Sequence, residues 1–215
     1  MNYFFYVMVY FNCDIMKRKI LIISTFILFI LFLMLYLFNR VNLLDTFIYD
    51  LIISLKSNSF TKFMKFITFL ASTKFITSIV ILLFILSFFK GKLPLIINWI
   101  ILGEVFINNI IKVLVRRERP IIINMVTENT FSFPSGHTMA AVVFYGFLIY
   151  LIRKSKLDKK YKILVSIILS LLIILIMMSR IYLGAHYFSD VIAGASLATS
   201  YLLLLIDILE RRNVL

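Results

Sequence analysis

Apolar residues in this chain fall in long unbroken runs, with the charges gathered into short blocks between them. Crossing the hydrocarbon of a bilayer takes a helix of about 20 mostly apolar residues. Six runs meet or approach that length: residues 20–38, about 66–89, 93–115, a shorter stretch that follows Pro134-Ser135-Gly136-His137 and ends at Ile152, about 163–183, and about 189–209. Lys74 is the only charge in the second run, and the third holds Glu104 and Lys112. Runs this continuous are helical, because barrel strands alternate apolar and polar positions. The first run is too long and too leucine-rich for the apolar part of a cleaved signal sequence. No internal repeat is visible. The pattern predicts an all-α fold, an integral membrane bundle of six transmembrane helices.

Two stretches fit this scheme less simply. Residues 1–19 stand apart as an N-terminal segment, aromatic-rich and uncharged until Asp14. Met16-Lys17-Arg18-Lys19 has the form of a translation start just before a first span. The upstream residues are then either a mis-start or a short interfacial segment. Residues 40–65 join the first two spans. Leu43, Leu44, Phe47, Ile48, Leu51, Ile52 and Leu55 share one side, with Asp45 and Asp50 on the other. That suits a helix at the membrane surface, but a plain connector is the simpler expectation. With three prolines, six glycines and no serine-rich tract, nothing marks a linker. Residues 20–215 read as one domain.

Composition narrows the class. The hydrophobic share is 62%, against roughly 45–50% in a soluble domain. A net charge of +13 would suggest nucleic acid in a soluble protein, but no aromatic–basic interleaving points that way. The partners expected are membrane lipids, with no nucleic acid. A single cysteine, Cys13, and only two histidines exclude an internal disulfide, a zinc cluster and a histidine-rich metal site. No metal and no cofactor are expected. With the N-terminus inside, the inner segments hold Lys17, Arg18 and Lys19, then Lys90 and Lys92, the block from Arg153 to Lys162, and Arg211 and Arg212. That is thirteen of the 23 basic residues. Six spans then leave both termini cytoplasmic in a multi-pass protein of the cell membrane. The basic residues at 112–119 and Arg180 fall outside, against the charge rule, and need another reason to be there.

Three clusters share that outer side. One runs from Lys112 to Arg119-Pro120, one is Pro134-Ser135-Gly136-His137, and one joins Ser179-Arg180 to His186 and Asp190. Lys112, Arg119 and Arg180 bring three positive charges to one mouth, and arginine's planar fork matches phosphate oxygens two at a time. Ser135 and Gly136 stand where a helix begins, and free backbone N–H groups with the helix dipole favour an anion there. Gly136, lacking a Cβ, lets the backbone approach closely. Together they describe a cradle for a phosphoryl group. His186 and Asp190 are four apart and share a helical face. A carboxylate that accepts the ring N–H leaves the other nitrogen free to attack. His137 has no carboxylate near it in sequence and suits a general acid, then base. A phosphohistidine intermediate follows from that division. Taken singly, each part has a plain explanation: Ser135 and Ser189 as helix caps, the arginines as headgroup anchors. Glu104, Asn108 and Lys112 recur every four residues on one face. A structural hydrogen bond between helices is the simpler role for Glu104, and tuning Lys112 or lining a substrate groove the alternative.

These clusters resemble the signature of the type 2 phosphatidic acid phosphatase superfamily, K-x6-R-P, P-S-G-H and S-R-x5-H-x3-D. Eleven fixed residues agree in order and spacing: Lys112, Arg119, Pro120, Pro134, Ser135, Gly136, His137, Ser179, Arg180, His186 and Asp190. The similarity covers about residues 60–209. Two softer positions differ, with Ala71 where glycine is common and Phe188 where proline is common. The resemblance implies a helical bundle with its site at the outer membrane face. It implies phosphate binding by Lys112, Arg119, Ser135, Gly136 and Arg180, with His186 as nucleophile, Asp190 as its orienter and His137 as acid. It further implies metal-independent hydrolysis of a lipid phosphate or diphosphate. Undecaprenyl diphosphate suits an outward site by family analogy; phosphatidylglycerol phosphate, phosphatidic acid and diacylglycerol diphosphate are the other candidates. Two alternatives stand beside this: a phosphotransferase of the same fold, and a membrane protein that only binds an anion or lipid.

Overall fold

The computed structural model describes residues 15–90, 93–120, 125–126 and 128–212. The segment upstream of Met16 lies almost wholly outside them. The described residues form eight helices: α1 (Ile15–Leu37), α2 (Asn42–Ile53), α3 (Asn58–Phe69), α4 (Thr73–Lys90), α5 (Leu93–Val115), α6 (Gly136–Lys154), α7 (Lys159–Tyr182) and α8 (Phe188–Arg211). Six stretches are long and apolar enough to cross a membrane: Met16–Leu37, Asn58–Leu86, Leu95–Val115, Gly136–Lys154, Lys159–Tyr182 and Phe188–Arg211. The six expected runs are all present.

The second span differs from its expected form. A single helix over residues 66–89 was the sequence expectation; instead the chain breaks at residues 70–72, between α3 and α4, with α3 starting at Asn58. Neither proline nor glycine makes this break. The Ser72 hydroxyl accepts the Phe75 N–H at 3.2 Å and so opens α4. Tyr145, from α6, donates its hydroxyl to the Leu70 carbonyl at 2.9 Å. One end of each helix is thereby satisfied inside lipid, where water cannot do it.

α2 is more than a connector. It packs on α7 and α8, and its orientation is the reverse of a surface helix. Leu43 and Phe47 are exposed while Asp45 is buried at 4%. In a bilayer the apolar side can face the solvent, and the carboxylate is the group that must find partners in the protein.

α8 and α6 form the centre. α8 lies along α1 and α6, α6 touches α5 and α7, α4 packs on α5, and α3 on α7. Small residues line α8, with Ala193, Gly194, Ala195, Ser196, Ala198, Thr199 and Ser200 all buried. Such residues let backbones approach where lipid gives no hydrophobic drive to helix pairing. Thr25 and Ser200 share a hydrogen bond of 2.6 Å between α1 and α8. A Cβ on Gly194 would lie 3.0 Å from the Ser135 carbonyl oxygen, so this glycine admits the first turn of α6 against α8. At one end, ion pairs Arg18–Glu210 (2.5 Å) and Lys154–Glu210 (2.7 Å) tie α1, α6 and α8 together. The three sequence clusters lie at the other end.

Candidate active site

Local turns set the site. α5 ends at Val115, and Arg116 takes a left-handed φ of 52°. The chain therefore leaves the helix between Lys112 and Arg119, so Lys112 projects from α5 and Arg119 from the returning strand of loop. α7 ends at Tyr182, and Gly184, at φ 68°, turns the chain back towards α8. Only glycine adopts that conformation without cost. The N–H groups of Ala185 and His186 both donate to the Arg180 carbonyl, at 3.1 and 3.2 Å, which fixes His186 beside Arg180. Ser135 caps α6 by accepting from the Thr138 N–H at 3.4 Å and the Thr138 hydroxyl at 2.9 Å. Its own N–H donates to the Asp190 carbonyl at 3.1 Å, joining the second cluster to the third.

His186 is buried at 2% exposure. Arg119 Nη1 lies 3.2 Å from its Nε2, and Ser132 Oγ lies 3.3 Å from its Nδ1. The expected His186–Asp190 pair is present in a modified form. Nδ1 and Asp190 Oδ2 are 3.7 Å apart, too long for a hydrogen bond. Ser132 stands between them and donates to Asp190 Oδ2 at 2.5 Å. A guanidinium can only donate, so Nε2 is the accepting nitrogen and Nδ1 carries the proton, a tautomer assigned from the network. Nδ1–H donates to Ser132 Oγ, and the Ser132 hydroxyl in turn donates its hydrogen bond to Asp190. Burial, then the charges of Arg180, Arg119 and Lys112, hold the imidazole well below the ordinary histidine value of 6.5. The ring is neutral, with its lone pair on the nitrogen facing the cations.

The other expected residues converge on the same spot. Arg119 is held by the Thr130 carbonyl at 2.6 Å and the Ala185 carbonyl at 2.8 Å. Burial draws its pKa down, against the opposing pull of Glu128 and Asp190. Lys112 donates to the Phe131 carbonyl. Arg180 donates to Thr68 Oγ1 at 2.7 Å and to Glu128, and its Nε has no partner among the described residues. A cavity of about 450 Å³ opens between α4, α5 and α6, and Lys112, Arg119, Gly136, His137 and His186 line it. It continues along Glu104 and Asn108 to Ile101, Ile76 and Val80, from the charged mouth into apolar walls. Ser135 and Arg180 stand behind that lining. A second cavity of about 490 Å³, between α1, α2, α7 and α8, is mostly apolar, with Thr25, Ser196 and Thr199 the polar residues in its wall, and reaches none of the signature side chains.

Four further residues belong to this site. Ser132 bridges His186 and Asp190. Glu128 pairs with Arg180 and lies 3.9 Å from both His137 Nδ1 and Arg119 Nη2. His137 therefore has a carboxylate near it in space, from nine residues upstream. Arg117 and Asp45 hold the far side of Asp190. Glu104 lines the cavity, and among the described residues no hydrogen bond reaches its carboxyl; the interhelical bond expected of it is not made. Ser179 turns back onto its own helix, donating to the Ile176 carbonyl at 2.6 Å.

Residues 93–213 match the PAP2 superfamily. This chain belongs to the PAP2 superfamily. Phosphatidylglycerophosphatase B of Bacillus subtilis (strain 168) is 30% identical over 162 residues, covering 74% of this chain and 80% of that protein. The crystal structure of the first transmembrane PAP2 type phosphatidylglycerolphosphate phosphatase from Bacillus subtilis aligns with a TM-score of 0.81 at 28% identity, covering 88% of this chain and 96% of that one. Aquifex aeolicus LpxE aligns with a TM-score of 0.57 at 25% identity, covering 75% and 94%. This PAP2 protein is a phosphatase built as a multi-pass membrane bundle, and its relatives are membrane lipid phosphatases.

Proposed function

We propose that this PAP2 phosphatase removes phosphate from a lipid phosphate or diphosphate at the outer leaflet, without metal, through a phosphohistidine on His186. Both termini then lie in the cytoplasm. The observation that carries this reading is the His186 ring, with Nδ1 tied to Asp190 through Ser132 and Nε2 facing Arg119 at 3.2 Å. Nε2 attacks phosphorus, the bond from phosphorus to the lipid oxygen breaks, and His137 gives that oxygen its proton. His137 then takes a proton from water, the water oxygen attacks phosphorus, and the bond to Nε2 breaks. Inorganic phosphate leaves and both rings are restored. Lys112, Arg119, Arg180 and the first N–H groups of α6 take the charge spread over the equatorial oxygens. The incoming phosphoryl group competes with Glu128 for Arg180. The Asp190 carboxylate stabilises the positive ring, and the Ser135 hydroxyl, which accepts from Thr138, keeps its own proton to donate.

Two lipids are to be separated. Undecaprenyl diphosphate suits an outward site that recycles a carrier; phosphatidylglycerol phosphate matches the name of the Bacillus subtilis relative. The cavity favours the second. Asn108 and Glu104 lie about 6 and 12 Å below Lys112 along α5, at 1.5 Å per residue. Polar walls there suit the hydroxyl and ester oxygens of a glycerolipid, whereas a polyprenyl chain would press bare hydrocarbon against them. Purified protein in EDTA is expected to release phosphate to water fastest from phosphatidylglycerol phosphate in a panel with undecaprenyl diphosphate, phosphatidic acid and diacylglycerol diphosphate. Faster release from undecaprenyl diphosphate reverses the substrate choice. Phosphate transfer only to an added alcohol makes the protein a transferase, and no reaction with any lipid by folded protein leaves a binding site.

The acid limb of kcat/KM should report the free His186 ring. A protonated imidazole cannot attack, so activity is lost as pH falls through its pKa. With that pKa lowered, the limb is expected well below pH 6.5. A limb at or above 6.5 that His137→Ala leaves in place contradicts a buried neutral nucleophile.

A further inference from the structure

Behind Asp190 lies a charge cluster that the signature does not contain. Arg117 falls among the six unspecified positions between Lys112 and Arg119, and Asp45 lies on α2. The Arg117 guanidinium is 6% exposed at its side chain. Its Nη1 donates to Asp190 Oδ1 at 2.6 Å and to Ser189 Oγ at 2.7 Å. Its Nη2 donates to Asp45 Oδ2 at 2.8 Å. The rings of Tyr36 and Tyr187 flank it, their centroids 4.6 and 4.0 Å from its central carbon. Asp45 in turn accepts the Ser189 N–H and the Ser189 hydroxyl, each at 2.8 Å. The Arg117 carbonyl accepts the Ser132 N–H at 2.8 Å, so the same residue holds both members of the relay to His186.

Asp190 is thus fully committed. Oδ1 goes to Arg117, and Oδ2 to Ser132 at 2.5 Å and the Tyr187 N–H at 3.0 Å. We propose that Arg117, clamped by Asp45, is a positioning residue that fixes the Asp190–Ser132 relay and so the Nδ1–H tautomer of His186. The proposal rests on the phosphohistidine reading above. Two buried carboxylates against one guanidinium leave one negative charge, which serves the ring when it becomes positive. Without Arg117, Asp190 Oδ1 loses its partner and two buried carboxylates repel each other, so Asp190 no longer holds Ser132 in place. A displaced Asp190 can no longer offset a phosphorylated ring. Among the described residues the Asp45 carboxylate bonds to Arg117 and Ser189, and it decides where Arg117 points.

The test is Asp45→Asn beside Arg117→Ala, each in full-length detergent-purified protein. Small misplacements of a reacting group cost up to about 100-fold in rate; Asp45→Asn is expected to lower kcat about 10-fold per folded molecule, with KM and inhibition by inorganic vanadate within about twofold. Added guanidinium ion is expected to restore part of the kcat lost in Arg117→Ala, with no effect on the parent. Should Arg117→Ala not fold, Asp45→Asn decides alone. A kcat unchanged per folded Asp45→Asn molecule, with only a lower melting temperature, makes the cluster a structural staple and overturns the proposal. His186→Ala assayed alongside separates the two layers. If that variant retains turnover, the phosphohistidine reading fails; if it is inactive while Asp45→Asn is normal, only the positioning role fails.

Discussion

His186→Ala is expected to lower phosphate release by about 10⁴-fold or more, the scale on which loss of a nucleophile acts when no other group replaces it. The geometry leaves no substitute. The ring nitrogen at 3.2 Å from Arg119 is the lone pair directed at the cations; Glu128 is paired with Arg180, Glu104 lies about 12 Å below Lys112 along α5, and His137 is engaged with the leaving oxygen. Alanine also empties a buried position beside Ser132. His186→Gln is therefore the companion variant, close in volume and able to accept from Arg119, but not nucleophilic. Both variants should still bind inorganic phosphate or vanadate through Lys112, Arg119 and Arg180. Loss of anion binding in both would show that the site had collapsed. Residual turnover within tenfold of the parent would show that water attacks the lipid directly.

The second large effect is at His137. General acid–base catalysis contributes about 10²–10⁴-fold, and His137→Ala is expected to lose that much on a lipid phosphate, whose leaving alkoxide needs a proton. With 4-nitrophenyl phosphate the leaving group needs none. The first step should then survive while hydrolysis of the phosphoenzyme stays slow. Expected is a burst of nitrophenolate close to one per protein, followed by slow turnover. A defect equal for both substrates, with no burst, would assign His137 to binding alone. Glu128, 3.9 Å from His137 Nδ1 and paired with Arg180, bears on this result, because the cradle cations are shared between it and the phosphoryl group.

The hydrophobic runs and the fixed spacings were legible because each rests on local rules. An uninterrupted apolar run must be a helix in lipid. Residues at the ends of α5, α6, α7 and α8 must meet if those helices pack side by side. What the sequence hid depends on contacts between distant segments. The break at residues 70–72 carries no proline or glycine, and the Tyr145 hydroxyl that satisfies Leu70 lies 75 residues away. Asp45 sits in a pattern that reads as a polar face turned to water. Only the placement of α2 against α7 and α8 shows that the aspartate points inward and the leucines face lipid.

The site divides in the same way. Lys112, Arg119, Gly136, His137 and His186 were readable from spacing, and the structure brings them to one cavity wall. Ser132, Glu128 and Arg117 were not. Arg117 looks like one more basic residue at a helix end until the left-handed turn at Arg116 is known, which points it back into the protein. Ser132 and Glu128 lie in a loop without periodicity, and their roles arise only where that loop crosses His186 and Arg180. A serine two residues before Pro134 and a lone glutamate between two basic clusters were the faint signals available.

The most direct measurement is to quench His137→Ala protein during turnover of ³²P-labelled 4-nitrophenyl phosphate and locate the label by peptide mass spectrometry. A covalent phosphate on His186, stable to base, labile to acid and absent from His186→Ala, is the expected result. Turnover of the labelled ester with no phosphate on His186 at any quench time would contradict a histidine nucleophile.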